Sequence, residues 1–321
     1  MITTEQTATV FGGTGFIGTQ IVRELAKRGV RIKVATRVPE RAYDLKPCGA
    51  VGQIVGIACD YRDEVSIANA VAGSDIVINC IGVLYQRGKS TFDHAHTDIP
   101  AMIAKACKTH KVLSFIHISA LGCDIGTSRY AASKLAGEKA VKKAFKNVTI
   151  LRPSVVFGEN DNFFNMFAGM VQIMPSFVPL PLIGGGKTMF QPVFVGDIAD
   201  AAMVCLDHHQ TQGKIFELGG TQVLDFKEIY QKLFHYIGQK QPLIKLPFWL
   251  AKCEAFFLQF WPTPLLTPDQ VESLKTNTVV SDKALTFDDL GLNPTDMDLI
   301  LPTYLERYRP GGRFSTLNAR T

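Results

Sequence analysis

Strand-like apolar runs alternate with helix-like segments five times in about the first 120 residues. A glycine cluster stands between the first run and the first helix. Together they predict an α/β protein: a Rossmann-type doubly wound parallel sheet with a smaller C-terminal lobe.

The first run, T-A-T-V-F, enters G-G-T-G-F-I-G at Gly12–Gly18, and an amphipathic helix pattern follows from Phe16 to Arg28. In this strand–turn–helix setting Gly12 permits the tight turn. Gly15 lets backbone approach a pyrophosphate, and Gly18 lets the helix pack closely on its strand. The helix N-terminus offers free N–H groups and the positive end of its dipole. Thr14, Phe16 and Ile17 lie in the same turn, so the stretch predicts a dinucleotide site.

The second strand, Arg31–Ala35, ends in Thr36-Arg37, with no carboxylate until Glu40. NAD-binding chains usually place an acidic residue there for the ribose 2′-hydroxyl. Arg37, with Arg41 behind it, suits a 2′-phosphate instead, so NADP(H) is the expected ligand. A third strand, Gln53–Ala58, leads to Asp60, which either reaches the adenine amine or caps the next helix, Glu64–Ala72. The fourth strand, Asp75–Cys80, is apolar enough to be buried on both faces and leads to Gly82, where backbone can approach a ribose. A loop over Tyr85–Asp98 and a helix to His110 precede the fifth strand, Ser114–Ile118, which ends at Ser119.

The next helix opens at Ser128 and runs to about Phe145. Tyr130 and Lys134, four residues apart, share one of its faces. There a lysine ammonium can bond the nicotinamide ribose and lower the tyrosine pKa, so that the phenol exchanges a proton with a carbonyl or alcohol. The same spacing at Tyr85/Lys89 and Tyr236/Lys240 is interrupted by Gly88 and Gly238. A sixth strand (Thr149–Leu151), an irregular Pro- and Gly-rich excursion, and strand-and-helix patterns at Gln191–Val195 and Asp197–Asp207 follow, with Asp197 as the expected N-cap. Lys214–Leu218 reads as a strand and Asp225–Ile237 as a helix. The division expected is a nucleotide domain over 1–158 and a lobe over 159–321, with 191–220 returning to the nucleotide domain.

The chain has 321 residues, 46% hydrophobic and 20% charged, with a net charge of +5. These values describe a globular protein and fit an anionic ligand or membrane surface, but are too small a bias to argue for nucleic acid. The seven cysteines are scattered without a C-x-x-C and read as buried thiols of a reducing compartment. His94/His96 and His208/His209 have no third ligand nearby, so no metal site is expected. No signal or transit pattern precedes the first strand, which predicts a bacterial, cytoplasmic protein, peripheral at most at the inner membrane. Residues 246–262, L-P-F-W-L-A-K-C-E-A-F-F-L-Q-F-W-P, are too short and charged to span a bilayer. As a helix they gather Trp249, Leu250, Cys253, Phe256, Phe257 and Phe260 on one face: lobe core, a face for a partner protein, or an interfacial membrane helix. A short basic tail runs from Arg307 to Arg313.

Several segments resemble the extended and atypical short-chain dehydrogenases/reductases: G-G-T-G-F-I-G, Y-A-A-S-K at Tyr130–Lys134, L-R-P-S-V-V-F-G at Leu151–Gly158 and P-V-F-V-G-D at Pro192–Asp197. H-I-S-A-L-G at His117–Gly122, G-E-N-D-N-F-F-N at Gly158–Asn165 and L-T-P-D-Q-V-E at Leu266–Glu272 are similar to one branch of that family. This branch is formed by the NADPH-binding accessory subunits of respiratory complex I and their bacterial epimerase/dehydratase-like relatives. The resemblance implies an NADPH-holding domain whose lobe contacts respiratory-chain subunits or lipid, a structural or redox-sensing role, and Pro153 beside the nucleotide. In related enzymes a serine past the fifth strand orients the substrate carbonyl. Ser119 is close to that position, but Ala120 is the better match, which predicts weak or absent catalysis. The rival expectation is an NADP-dependent reductase or epimerase/dehydratase acting on a nucleotide sugar or quinone-pathway intermediate. In it Tyr130 is the acid/base, Lys134 its tuner and Ser119 the carbonyl orienter.

Overall fold

The computed structural model describes residues 5–262 and 264–312. Arg313, the last of the basic tail residues, lies outside them. The chain begins β1 (Thr7–Phe11), α1 (Phe16–Lys27), β2 (Arg31–Thr36), β3 (Ile54–Ala58), α2 (Glu64–Val71) and β4 (Ile76–Asn79). It continues α3 (Ile99–Thr109), β5 (Ser114–Ile118), α4 (Arg129–Ala144), β6 (Thr149–Pro153), β7 (Val156–Phe157) and α5 (Phe164–Ile173). Then come β8 (Leu180–Ile183), β9 (Met189–Phe190), β10 (Val193–Phe194), α6 (Val195–Asp207) and β11 (Ile215–Leu218). The chain closes with β12 (Leu224–Asp225), α7 (Phe226–Ile237), β13 (Leu243–Leu246), α8 (Phe248–Leu258), α9 (Pro268–Ser273) and α10 (Met297–Leu305).

Seven parallel strands form one sheet in the order β11-β6-β5-β4-β1-β2-β3. The chain starts in the middle of the sheet and reverses direction between β1 and β4. This leaves a crevice at the carboxyl ends of those strands, where open α/β sheets bind ligands. Alternation along the strands supplies the two cores. Ala8, Val10, Ile32, Val34, Ile116 and Ile118 pack with Ile21 and Leu25 of α1 and Ile198 and Ala202 of α6. Phe11, Ala35, Val77 and Phe115 face Ile67, Ile103, Cys107 and Val141 on the other side. Both faces are covered, so the inner strands carry little polarity. Thr9, fully buried, meets this demand by bonding Ala70 O at 3.0 Å and Ser74 Oγ at 2.7 Å.

A third core joins Phe157, Phe164 and Val171 to Tyr230 and Leu233, and closes with Met297, Leu301 and Tyr304. A buried charge network joins β6 and β11 of the sheet to α4. Arg152 donates to Glu138 at 2.9 and 2.8 Å, to Asp124 at 2.7 Å and to Glu217 at 3.4 Å.

Local structure departs from the sequence reading in four places. The loop expected over 85–98 ends in a π-turn, His94–Asp98, continuous with α3. Pro100 has no N–H for the His96 carbonyl, and the Ile99 N–H reaches back to His94 O instead. Asp197 is not the cap of α6, which is Phe194; its carboxylate binds the Thr295 N–H at 2.7 Å and hydroxyl at 2.6 Å. Asp60 does not cap α2, because Asp63 does so through the Val65 and Ser66 N–H groups. Finally, α8 buries Ala251 and Ala255, while Trp249 (68% exposed), Phe257 (73%), Phe260 (74%) and Trp261 (66%) point outward. The lobe-core reading of that segment therefore fails, and Cys253, expected buried, is exposed. Among the described residues, no helix is long and apolar enough to cross a membrane.

Replacing Arg152 by Met strands Glu138 and Glu217 without a counter-charge in a water-poor site. We expect a loss of roughly 3–5 kcal/mol in denaturant-unfolding stability; a loss below about 1 kcal/mol would show that these carboxylates are solvated.

Candidate functional site

Because all seven strands run parallel, every loop after a strand emerges at one edge. That edge gathers Gly12–Gly18 after β1, Arg37 after β2, Asp60 after β3, Gly82 after β4, Ser119 after β5 and Pro153 at the end of β6.

The first of these loops is set by contact. Gly12 adopts φ +72°, and its carbonyl accepts the Gly15 N–H at 3.0 Å. A Cβ on residue 18 would lie 2.2 Å from Gly12 O, so α1 seats on the turn only with glycine there. At Gly15 the nearest group to a Cβ is Gly12 O at 3.2 Å. The first turn of α1 has no side-chain cap and no acidic residue, the arrangement that favours an anion. Phe16 leans on Gly158. Arg37 and Asp60 are both exposed. Asp60 accepts the Arg62 N–H at 3.0 Å. Beside them the Tyr61 hydroxyl donates to Ala35 O at 2.7 Å, a contact the sequence did not signal.

The other end of the crevice is a dense polar cluster under α4. Lys134, 4% exposed, donates to Ile118 O at 3.3 Å, and its Nζ lies 3.4 Å from where a Gly82 Cβ would stand. Burial pushes its pKa down to about 8. The Tyr130 ring meets His96 edge-on at 5.2 Å and Phe92 at 5.8 Å between centroids. Burial, with the Cys123 thiol nearby, raises its phenol pKa. The structure thus brings Tyr130, Lys134 and Gly82 together. Ser119 is turned elsewhere: its hydroxyl meets Cys123 Sγ at 3.9 Å, and that thiol donates to Glu138 at 3.3 Å.

Sequence reasoning missed two buried histidines here. His96 Nε2 accepts the Val83 N–H at 3.0 Å, and its Nδ1 meets Ser133 Oγ at 2.9 Å. Ser133 donates its own proton to Tyr130 O at 2.7 Å. The Nδ1–H tautomer is the only neutral form that satisfies these bonds. His117 Nδ1 faces the Asn79 amide at 3.1 Å, and Asn79 Oδ1 accepts the Ile81 N–H, so that amide donates to the imidazole. The proton is then on His117 Nε2, which is buried and has no partner among the described residues. Isolated histidines 21 positions apart carry no periodicity. The only signal available was their place at strand or helix ends facing the crevice.

Burial, reinforced by Lys134, depresses His96 to about 2 and His117 to about 3. The unfolded chain takes up both protons near pH 6.5 while the fold stays neutral, so the unfolded state binds more protons between about pH 6.5 and 3. Stability therefore falls as pH drops through that window, each imidazole contributing a slope of up to about 1.4 kcal/mol per pH unit. Denaturant unfolding at pH 7.5, 6 and 5 should reveal this slope, and His117→Phe should remove about half of it.

Residues 8–219 match the model of the NAD dependent epimerase/dehydratase family. The chain is 38% identical over 318 residues to the mitochondrial NADH dehydrogenase [ubiquinone] 1 alpha subcomplex subunit 9 of Arabidopsis thaliana, covering 95% of this chain and 78% of that protein. It is 32% identical to the Mus musculus protein of the same name, covering 94% and 80%. An NADPH-dependent quinone oxidoreductase from Escherichia coli, complexed with NADPH, superposes with a TM-score of 0.71 at 20% identity, covering 93% of this chain and 98% of that one; that likeness is one of fold. The chain belongs to the NAD dependent epimerase/dehydratase family and, within it, to the branch that holds subunit 9 of the mitochondrial NADH dehydrogenase alpha subcomplex.

Proposed function

We propose that this protein is an NADP(H)-holding accessory subunit of an NADH dehydrogenase-type complex, in which the nucleotide is kept as part of the fold. The observation that carries this reading is the crevice at the β1/β4 reversal, with an uncapped helix N-terminus at one side and a buried lysine at the other. Its fit to a dinucleotide is supported by the glycine cradle, where a Cβ at residue 18 would strike Gly12 O. In this assignment Gly12, Thr14, Gly15, Phe16, Ile17 and Gly18 line the pyrophosphate. Arg37 meets the 2′-phosphate, Asp60 lies toward the adenine, and Gly82, Lys134, Tyr130 and Pro153 surround the nicotinamide riboside. A nicotinamide ring supplies hydride chemistry when bound. What these side chains do is hold, orient and exclude water.

Weak turnover follows from the same residues. An acid/base group works best with its pKa near the working pH, yet burial raises the Tyr130 phenol and Lys134 is engaged by Ile118 O. The Ser119 hydroxyl, turned to Cys123, leaves Ala120 at the position matched to the carbonyl-orienting serine. A reductase remains the second reading, favoured by the meeting of Tyr130 and Lys134 in one crevice. Carbonyl-dependent NADPH oxidation that disappears in Tyr130→Phe would decide for it.

The complex-facing part of the proposal rests on α8 and the residues after it. Trp249, Phe256, Phe257, Phe260 and Trp261 form an outward aromatic patch. Exposed apolar groups at this density mark a docking face, for partner subunits or for the lipid surface beside them.

Two measurements test the assignment. Arg37→Ala should weaken NADPH binding about 10-fold or more while leaving NADH within about 2-fold, read by nucleotide fluorescence titration; equal losses would refute the 2′-phosphate contact. Phe257→Asp combined with Phe260→Asp should abolish co-purification with NADH dehydrogenase subunits while nucleotide binding is retained.

A further inference from the structure

The first N–H groups of a helix have no partner within the helix itself. In α4 they are shared out unusually. Ser128, the cap, accepts only the Ala131 N–H through its hydroxyl, at 3.1 Å. The Arg129 and Tyr130 N–H groups both go to one carboxylate from far along the chain, Asp269 of α9, at 2.7 and 3.0 Å. That carboxylate also sits at the positive end of the α4 dipole, where a negative charge is stabilising.

Asp269 does not act alone. Glu272, one turn further on, accepts the Thr127 hydroxyl at 3.1 Å just before α4, and pairs with Lys252 of α8 and with Lys275. Beyond α9, Thr278 O accepts the Ser154 hydroxyl at 2.8 Å. The Ser281 N–H and hydroxyl both reach Glu217 of β11 at 2.9 Å. Residues 269–281 therefore run as a strap across the carboxyl edge of the sheet, bonded in turn to α4, to the segment after β6 and to β11.

From this placement we infer that Asp269 is a positioning residue for the dinucleotide site: by holding the first turn of α4 it fixes where Tyr130 and Lys134 stand. The proposal rests on the dinucleotide reading given above. Loss of the carboxylate frees two amides and lets the turn fray, which moves Tyr130 first and Lys134 one turn later. Asn at this position keeps one acceptor oxygen and loses the charge.

The test uses the full-length protein as wild type, Asp269→Ala and Asp269→Asn. Amide hydrogen exchange is measured without nucleotide, NADPH affinity by fluorescence titration, and thermal unfolding serves as a control for folding. In Asp269→Ala the amides of residues 129–134 should exchange faster than in wild type. NADPH should bind about 3- to 30-fold more weakly, the range a lost N-terminal cap is worth, with Asp269→Asn between the two. Unchanged exchange at Arg129 and Tyr130 would overturn the proposal. So would faster exchange with unaltered NADPH affinity, because the turn would then not govern the site. Where Asp269→Ala unfolds, Asp269→Asn carries the same two readouts. Wild-type protein that binds neither NADPH nor NADH would overturn the dinucleotide reading, a result distinct from a wild-type affinity that Asp269→Ala leaves intact.

Discussion

The site depends on one steric fact: α1 lies so close to the turn that precedes it that the Gly12 carbonyl occupies the space of a Cβ on residue 18. This proximity aims the first turn of α1 across the crevice between β1 and β4. It also draws Ile21 and Leu25 down onto the sheet. A second contact of the same kind seats α4, where a Cβ on Gly137 would lie 1.9 Å from His96 O. Two helices are thus pressed onto backbone without intervening side chains, one on each side of the crevice. Their glycines contribute by what they leave out.

Much of this was legible in the sequence because it is local or periodic. The parallel sheet, its alternation with helices, the glycine turn and the Tyr130/Lys134 face each occupy a short window in which spacing reports geometry. What escaped depends on contacts between distant segments. His96 and His117 come from different elements and meet Lys134 only in the fold. Asp197 looks like a cap in its window, but Thr295 claims its carboxylate. The aromatic face of α8 obeys helical spacing whether it points in or out, so periodicity could not orient it. Of α8 itself, small Ala251 and Ala255 are buried, while Trp249, Phe256 and Phe257 are exposed.

The polar cluster beneath α4 is costly to assemble. It holds a lysine, two neutral imidazoles and the Cys80 and Cys123 thiols in a region where ionisation is opposed. The low dielectric that depresses Lys134 and raises Cys80 to about 12 also strengthens each hydrogen bond made there. Such an arrangement is typical of a site built for a bound group, since an apolar core would satisfy the same volume at lower free energy. The Arg152 network beside it ties β6, α4 and β11 into one unit.

The third hydrophobic core also has a temporal side. It unites Phe157 and Phe164 with Met297, Leu301 and Tyr304, and the Tyr304 hydroxyl binds Asp161 across 143 positions at 2.6 Å. A ribosome releases the chain from its N-terminus, so the sheet up to β6 can form while this core still lacks its last helix. At about 5–20 residues per second, the members of this core between Phe157 and Ile237 wait for seconds with apolar surface uncovered. The order of synthesis makes the lobe the late and aggregation-exposed part of this protein, with its core left open until the α10 segment has been made.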